Sequence, residues 1–147
     1  MLIDRVVAPY FGTNCWFIGA GPGQECVVVD PGIDQPNLLP SIKSKINEHH
    51  LKVVAILITH GHLDHTFSVL PLQNDVGIDK VLIHKFDRDL LSDPKLAMGP
   101  QGLALFEQLS GDLIGRDFEP TGIEEITGDL DLTLAGVPMR VLSTPGH

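Results

Sequence analysis

An apolar run followed at once by a dense polar cluster is the feature of this 147-residue sequence that most restricts its fold. The run Val53-Val54-Ala55-Ile56-Leu57-Ile58 predicts a buried strand. The next residues are Thr59-His60-Gly61-His62-Leu63-Asp64-His65, so three imidazoles and one carboxylate follow the strand directly. Imidazole and carboxylate together suit zinc, iron or manganese. The pattern therefore predicts a buried sheet in which one strand ends in a metal-binding loop.

The spacing within this cluster indicates how metal could be held. His60 and His62 lie two residues apart on an extended turn, so both side chains can point toward one ion, and Gly61 lets the backbone turn tightly. Asp64 and His65 follow at the start of a predicted helix, where they can serve a neighbouring ion. Two ions about 3.5–4 Å apart would polarise a carbonyl oxygen and hold a hydroxide between them. Because a metal-bound water has a pKa of about 7, the hydroxide nucleophile would exist at neutral pH without a separate strong base.

Short apolar segments and glycine-containing turns precede the motif and predict an antiparallel meander. A strand, helix, strand, helix, strand alternation then predicts helices packed on a sheet. The predicted strands are Leu2–Val7, Cys15–Gly19, Glu25–Val29, Val53–Ile58, Lys80–Ile83, Leu130–Leu134 and Val137–Leu142, and the predicted helices are 37–50 and 63–75. Residues 84–120, with helical fragments at Asp87–Leu91 and Leu103–Leu109, are expected to form an insertion that borders the site.

Composition and charge exclude several classes of protein. A formal charge of −9 with ten scattered basic residues argues against a nucleic-acid partner, because phosphate binding depends on clustered Lys and Arg. No apolar run approaches the roughly 20 residues that span a bilayer, and residues 1–5 lack a signal-peptide pattern. Cys15 and Cys26 lack the spacing of a thiolate metal site. We therefore expect a single cytoplasmic domain without nucleic-acid or membrane partners, whose oligomeric state the sequence leaves open.

The pattern His-x-His-x-Asp-His after a buried strand resembles the signature of the metallo-β-lactamase superfamily. Val29-Asp30-Pro31-Gly32 and Thr144-Pro145-Gly146-His147 match the same superfamily in the expected order. Asn14-Cys15-Trp16 is similar to an early strand of its glyoxalase II (hydroxyacylglutathione hydrolase) branch. The resemblance covers the whole chain in outline and is loose over 84–120. It implies an α+β fold, the αββα sandwich of that superfamily.

The resemblance also implies five metal ligands, which are His60, His62 and His147 for a first ion and Asp64 and His65 for a second. Asp64 is in addition the expected catalytic residue. The ions would be one or two Zn²⁺, with iron or manganese as alternatives. Asp30 is open to two interpretations: an outer carboxylate that orients the ligand loop, or an ordinary Asp-Pro-Gly turn residue.

The activity implied by this resemblance is hydrolysis of a thioester, such as a hydroxyacyl-glutathione, by attack of a metal-bound hydroxide on the carbonyl. A small-molecule thioester is therefore the expected partner. A thiolate whose parent thiol has a pKa of about 8.5 can leave without a strong general acid. Two alternatives stay open: a mono-iron persulfide dioxygenase, which shares the motif, and a catalytically silent metal-binding domain.

The sequence departs from the superfamily pattern at its end. Superfamily members place a carboxylate that bridges both metals, and a last histidine, downstream of the Thr-Pro-Gly-His element. Nothing follows His147 in this sequence. We therefore expect residues 1–147 to be the N-terminal two-thirds of one metallo-β-lactamase-like hydrolase domain, incomplete at the C-terminus and weak in its second metal position.

Overall fold

The computed structural model describes residues 1–109 and 117–147, which form two β-sheets and four α-helices. The strands are β1 (Leu2–Val7), β2 (Asn14–Gly19), β3 (Glu25–Val29), β4 (Lys52–Leu57), β5 (Val81–His84), β6 (Ile123–Ile126), β7 (Leu130–Leu134) and β8 (Val137–Val141). The helices are α1 (Leu39–His49), α2 (Leu63–Thr66), α3 (Val69–Val76) and α4 (Pro100–Leu109), with 3₁₀ segments at Lys85–Leu91 and Pro94–Ala97. Within these described ranges, no helix has the length and apolar character needed to cross a membrane.

A six-stranded sheet in the order β1-β2-β3-β4-β5-β6 forms the centre of the fold. Its first three strands pair antiparallel, which confirms the predicted meander, and β3 to β6 pair in parallel. Parallel neighbours need a crossover connection, which α1 supplies between β3 and β4, and α2 with α3 between β4 and β5. The predicted alternation of strands and helices is therefore confirmed.

The two faces of the central sheet contribute to different apolar cores, because successive strand residues point to opposite sides. Val28 packs in one cluster with Ile42 of α1 and Leu72 of α3. Val27 packs in another cluster with Leu134 of the β7–β8 sheet. All five side chains are at most 8% exposed, so β3 is buried on both faces as predicted. Helices, central sheet and second sheet thus form three successive layers, in agreement with the α+β sandwich class.

The helix predicted over 63–75 is interrupted between α2 and α3. The backbone N–H of Ser68 donates to the carbonyl of Pro31 at 2.9 Å and so leaves the helical pattern. The Ser68 hydroxyl donates to the carbonyl of Gly32 at 2.6 Å and accepts from the N–H of Leu38 at 2.8 Å. Pro71 is the third residue of α3, where a helix leaves backbone N–H groups unpaired in any case. Pro71 is therefore compatible with the helix, and Ser68 separates α2 from α3.

One strand of the structure is not predicted by the sequence pattern. β6 contains Glu124 and Glu125, whose exposed side chains hide its strand character in the sequence. A charged edge strand discourages pairing with other chains. In the predicted insertion, the fragment Asp87–Leu91 is 3₁₀ rather than α-helical, and Leu103–Leu109 lies within α4. Residues 110–116 of that insertion lie outside the described residues.

Candidate metal centre

The carboxyl ends of β3, β4 and β5 meet at one edge of the central sheet, because these strands are parallel neighbours. Asp30 follows β3, residues 59–65 follow β4, and the 3₁₀ segment Lys85–Leu91 follows β5. The backbone N–H of Asp30 still donates to the carbonyl of Leu57 at 3.1 Å, so strand pairing continues into the site. Open α/β sheets commonly bind ligands at this edge.

Three imidazoles from distant parts of the chain converge at this edge. The candidate ligand atoms of His60, His62 and His147 all lie within 4.8 Å of one another. The ring centroid of His147 lies 4.8 Å from that of each of the other two. His60 and His62 are half-buried and His147 is exposed, so the group opens to solvent on one side. Three protein ligands with one open position are typical of catalytic zinc sites.

His60 has the clearest character of a ligand. Its Nε2 is buried and has no hydrogen-bond partner in the part of the chain that the structure describes. Its Nδ1 lies 3.1 Å from the Thr59 hydroxyl, which donates to Asp30 Oδ2 at 2.7 Å. Since the Thr59 hydroxyl donates to Asp30, its oxygen can accept a hydrogen bond from His60 Nδ1–H, and in that tautomer the Nε2 lone pair is available. Burial, with the neighbouring His65 imidazole, lowers the pKa of His60 and favours the neutral ring that metal binding requires.

Asp64 and His65 form a second pair beside these imidazoles. His65 Nε2 lies 3.3 Å from Asp64 Oδ2, and the ring centroids of His65 and His60 are 4.1 Å apart. The hydrogen bond from His65 lowers the pKa of Asp64 to about 2 against the opposing effect of burial. Burial disfavours the protonated form of His65, but its hydrogen bonds to the Asp30 and Asp64 carboxylates raise its pKa to about 9. The pair thus brings one charged oxygen and one imidazole nitrogen to the same point.

Asp30 makes the contacts of an orienting carboxylate. Its side chain is 6% exposed and accepts from His65 Nδ1 at 2.8 Å, from the Thr59 N–H at 2.8 Å and from the Thr59 hydroxyl at 2.7 Å. Its φ of 52° lies in the left-handed region, which Asp enters more readily than most residues. One carboxylate therefore holds His65 directly and His60 through Thr59. Outer carboxylates of this kind orient metal-binding imidazoles.

Two threonines complete the site, and no pattern in the sequence distinguishes them. Thr13, 7% exposed, donates from Oγ1 to Asp64 Oδ2 at 2.8 Å. Thr59 connects His60 to Asp30 as described above. The only sequence signal is that Thr59 directly precedes the His cluster. A single hydroxyl has no spacing pattern of its own, so the fold is needed to identify either contact.

The residues present fit one or two divalent metal ions. Among the described residues, His60 Nε2 is buried without a hydrogen-bond partner, and in the tautomer with the proton on Nδ1 its lone pair would be available to an ion. The structure groups three of the predicted ligands, His60, His62 and His147, and places the other two, Asp64 and His65, as a pair beside them, with Asp30 in contact with His65. Zinc, iron and manganese all accept imidazole and carboxylate donors. The identity of the ion and the ligand role of each residue stay predictions.

A second group of potential ligands has a different character. Candidate ligand atoms of Asp4, Glu48 and His49 also lie within 4.8 Å of one another. However, Lys45 Nζ lies 2.9 Å from both Asp4 Oδ2 and Glu48 Oε2, and His49 Nε2 lies 2.7 Å from Asp4 Oδ2. The Lys45 ammonium group is already paired with both acids. We therefore interpret this group as an ion-pair network between β1 and α1.

A mixed sheet between helices and a second sheet, with a histidine-rich cluster at its strand ends, defines an α+β fold with a candidate metal centre. The chain belongs to the Metallo-beta-lactamase superfamily, which residues 8–147 match. This confirms the superfamily resemblance and the predicted fold class. The superfamily binds divalent metals and consists mostly of metal-dependent hydrolases.

Similar proteins are longer than this chain. An uncharacterized protein of Mycobacterium tuberculosis is 31% identical over 148 residues, which cover 100% of this chain and 62% of that protein. The hydroxyacylglutathione hydrolase of Shewanella sp. (strain ANA-3) is 29% identical over 147 residues, 100% of this chain and 45% of that protein. The crystal structure of BLEG-1 B3 metallo-beta-lactamase matches with a TM-score of 0.72 at 25% identity, covering 99% of this chain and 62% of that one. The chain thus spans less than two-thirds of each of these proteins.

Proposed function

We propose that this protein is a metal-dependent hydrolase of thioesters, such as a hydroxyacyl-glutathione. The observation that carries the proposal is the convergence of three imidazoles beside the Asp64–His65 pair. The similarity to the hydroxyacylglutathione hydrolase of Shewanella supports this substrate class. The glyoxalase II-like branch is therefore our assignment within the superfamily.

The chain's own residues would bind the metal and fix the orientation of its ligands. His60, His62 and His147 would bind one ion, and Asp64 and His65 a second. Bound zinc, iron or manganese would polarise the substrate carbonyl and lower the pKa of a bound water. Asp30 accepts a hydrogen bond from His65 Nδ1 and so orients the ring, and an ion bound at Nε2 would replace the proton there.

Asp64 is the residue to which we assign a catalytic role. Its pKa of about 2 keeps the carboxylate charged at neutral pH, so it could accept a hydrogen bond from a water molecule at the site. Thr13 donates to Oδ2 of this carboxylate and so restricts its rotation. A thiolate leaves readily because the pKa of its parent thiol is about 8.5, whereas an alkoxide needs a proton donor. We therefore expect the enzyme to prefer a thioester over the matched oxygen ester.

The test combines metal content with turnover of two matched substrates. The purified chain, loaded with zinc, is assayed with lactoylglutathione and with the corresponding oxygen ester, and its metal content is measured by mass spectrometry. We expect bound zinc and faster hydrolysis of the thioester. His62→Ala and Asp64→Asn should lose turnover, whereas Asp131→Asn, whose side chain is 83% exposed, should not. Turnover that persists in His62→Ala would refute the proposed site.

Three further outcomes would replace the proposal. The overall similarity to BLEG-1 favours β-lactam hydrolysis as a second candidate, and a chromogenic cephalosporin tests for it. Bound iron with oxygen consumption on a persulfide substrate would identify a persulfide dioxygenase instead. Bound metal without turnover of any of these substrates would indicate a catalytically silent metal-binding domain. A cytoplasmic location and a small-molecule partner stay predictions.

A further inference from the structure

The peptide between two candidate metal ligands is fixed by a residue from another part of the fold. The backbone N–H of Gly61 donates to Asp87 Oδ2 at 2.9 Å. Gly61 separates His60 from His62, and Asp87 belongs to the 3₁₀ segment after β5. This contact therefore joins the ligand loop to the insertion that borders the site.

Gly61 cannot be replaced by a larger residue without moving this segment. A Cβ at Gly61 would lie 2.7 Å from Cβ and Cδ1 of Leu90 and 3.0 Å from the carbonyl oxygen of Asp87. A glycine is thus required for the close approach of the two chain segments. Glycine also has the greatest backbone freedom of any residue, so the spacing of the flanking imidazoles needs an external restraint.

The Asp87 carboxylate supplies that restraint. A buried backbone N–H needs an acceptor, and a charged acceptor makes a stronger hydrogen bond than a neutral one. The segment that carries Asp87 is itself anchored, because Leu91 is 2% exposed in the core. Arg88 also donates to Ser92 at 2.9 Å and to Glu119 at 2.6 Å. The restraint on Gly61 therefore comes from a well-fixed part of the fold.

We propose that Asp87 is a positioning residue, which holds the Gly61 peptide so that the His60 and His62 imidazoles stay at metal-binding distance. This proposal rests on the metal site of the proposed function. It assigns Asp87 no contact with substrate. Its effect should therefore appear in the affinity and geometry of the ion bound by the three histidines.

The experiment measures metal binding directly. Zinc affinity is determined by competition with a chromophoric chelator, and the visible spectrum of the Co²⁺-loaded chain reports the coordination geometry. Loss of an outer partner typically weakens metal binding by about 10–100-fold, so we expect Asp87→Ala to lower the affinity of the first ion by about tenfold or more and to change the cobalt spectrum. Asp87→Asn, which keeps an acceptor oxygen, should recover most of the affinity.

Asp89→Ala is the matched control, because Asp89 is an exposed acid in the same segment and its loss changes the net charge equally. Its affinity and cobalt spectrum should equal those of the wild type. Equal losses in Asp87→Ala and Asp89→Ala would overturn the proposal in favour of a general charge effect. An unchanged Asp87→Ala variant would overturn it as well.

Circular dichroism shows whether each variant folds. If Asp87→Ala does not fold, Asp87→Ser, whose side chain is too short to replace the carboxylate as acceptor, is compared with Asp89→Ser; a loss of affinity confined to Asp87→Ser supports the proposal, and equal affinities overturn it. The proposed function fails separately, because a wild type that binds zinc without thioester turnover refutes that function and leaves the role of Asp87 intact.

Discussion

Replacing Asp30 by asparagine should lower the free energy of unfolding of the metal-free protein, because the Asp30 carboxylate accepts three hydrogen bonds. The Asn side-chain oxygen can still accept from the Thr59 N–H, since the two side chains have the same shape. Its NH₂ group would then face the Nδ1–H of His65, so two donors would meet at a position where the wild type has a bond of 2.8 Å. The Thr59 hydroxyl donates to the same oxygen, Oδ2, so the variant loses the charge-assisted hydrogen bond from His65 and the Thr59 hydroxyl needs another acceptor.

The size of the effect follows from that bond. A hydrogen bond to a charged group contributes about 1.5–3 kcal/mol, so we expect the free energy of unfolding to fall by roughly 2 kcal/mol near pH 6. The rise in the pKa of His65 from 6.5 to about 9 agrees with this magnitude, because each pKa unit corresponds to about 1.4 kcal/mol and part of the rise is due to Asp64. For a chain of this size the melting temperature should fall by about 4–8 °C.

The stability difference between the wild type and Asp30→Asn should also depend on pH. The folded-state pKa of His65 lies above the 6.5 of the unfolded chain, so protonation stabilises the folded state fully below about pH 6.5. That stabilisation is lost as the pH rises through about 9, because His65 then loses its proton in the folded state too. Without the Asp30 charge the folded-state pKa is lower. The stability difference between wild type and Asp30→Asn should therefore shrink between pH 6.5 and 9.

Urea unfolding followed by circular dichroism, in a chelator and at several pH values, measures this difference. Asp131→Asn is the control, because its side chain is 83% exposed and surface ion pairs contribute little. Equal stabilities of Asp30→Asn and wild type at pH 6 would refute the hydrogen-bond argument. A difference that stays constant from pH 6 to 9.5 would refute the assignment of the effect to the His65 charge.

Three further results are expected. Burial raises the pKa of the Cys15 thiol, so Cys15 should react with a disulfide reagent at neutral pH only when the protein unfolds, which a thiol assay with and without urea measures. Hydrogen bonds from Lys45 hold the pKa of Asp4 well below its ordinary value, so this ion pair stabilises the folded state above about pH 4 and the stabilisation is lost in stronger acid. In Asp4→Asn, the free energy of unfolding should therefore fall slightly less steeply with acid than in the wild type, because surface ion pairs contribute little. Gly32→Ala places a Cβ 2.8 Å from the carbonyl oxygen of Asp64 and should cost about 1–3 kcal/mol in urea unfolding, because overpacking forces the backbone to shift.

Local signals in the sequence predict the frame of the site, and long-range contacts decide its details. The strand ends of β3 and β4 follow from apolar runs that stop at Asp-Pro-Gly and at the His cluster. The interruption between α2 and α3 does not follow from a local signal, because it depends on hydrogen bonds of Ser68 to the turn after β3. β6 is missed for a related reason, since an edge strand need not have an apolar pattern on both faces.

The same distinction explains which site residues the sequence indicates. The imidazoles and carboxylates of residues 60–65 lie close together in the chain, so their spacing alone predicts metal binding. Thr13 and Asp87 approach the motif across separations of 51 and 26 residues, and each contributes a single hydrogen bond. Neither contact has a local pattern, although both restrict the orientation of a ligand or of the peptide beside it. The ligand loop is thus identified by its own residues, and its geometry is set by three other segments of the fold: the β1–β2 turn, the turn after β3 and the 3₁₀ segment after β5.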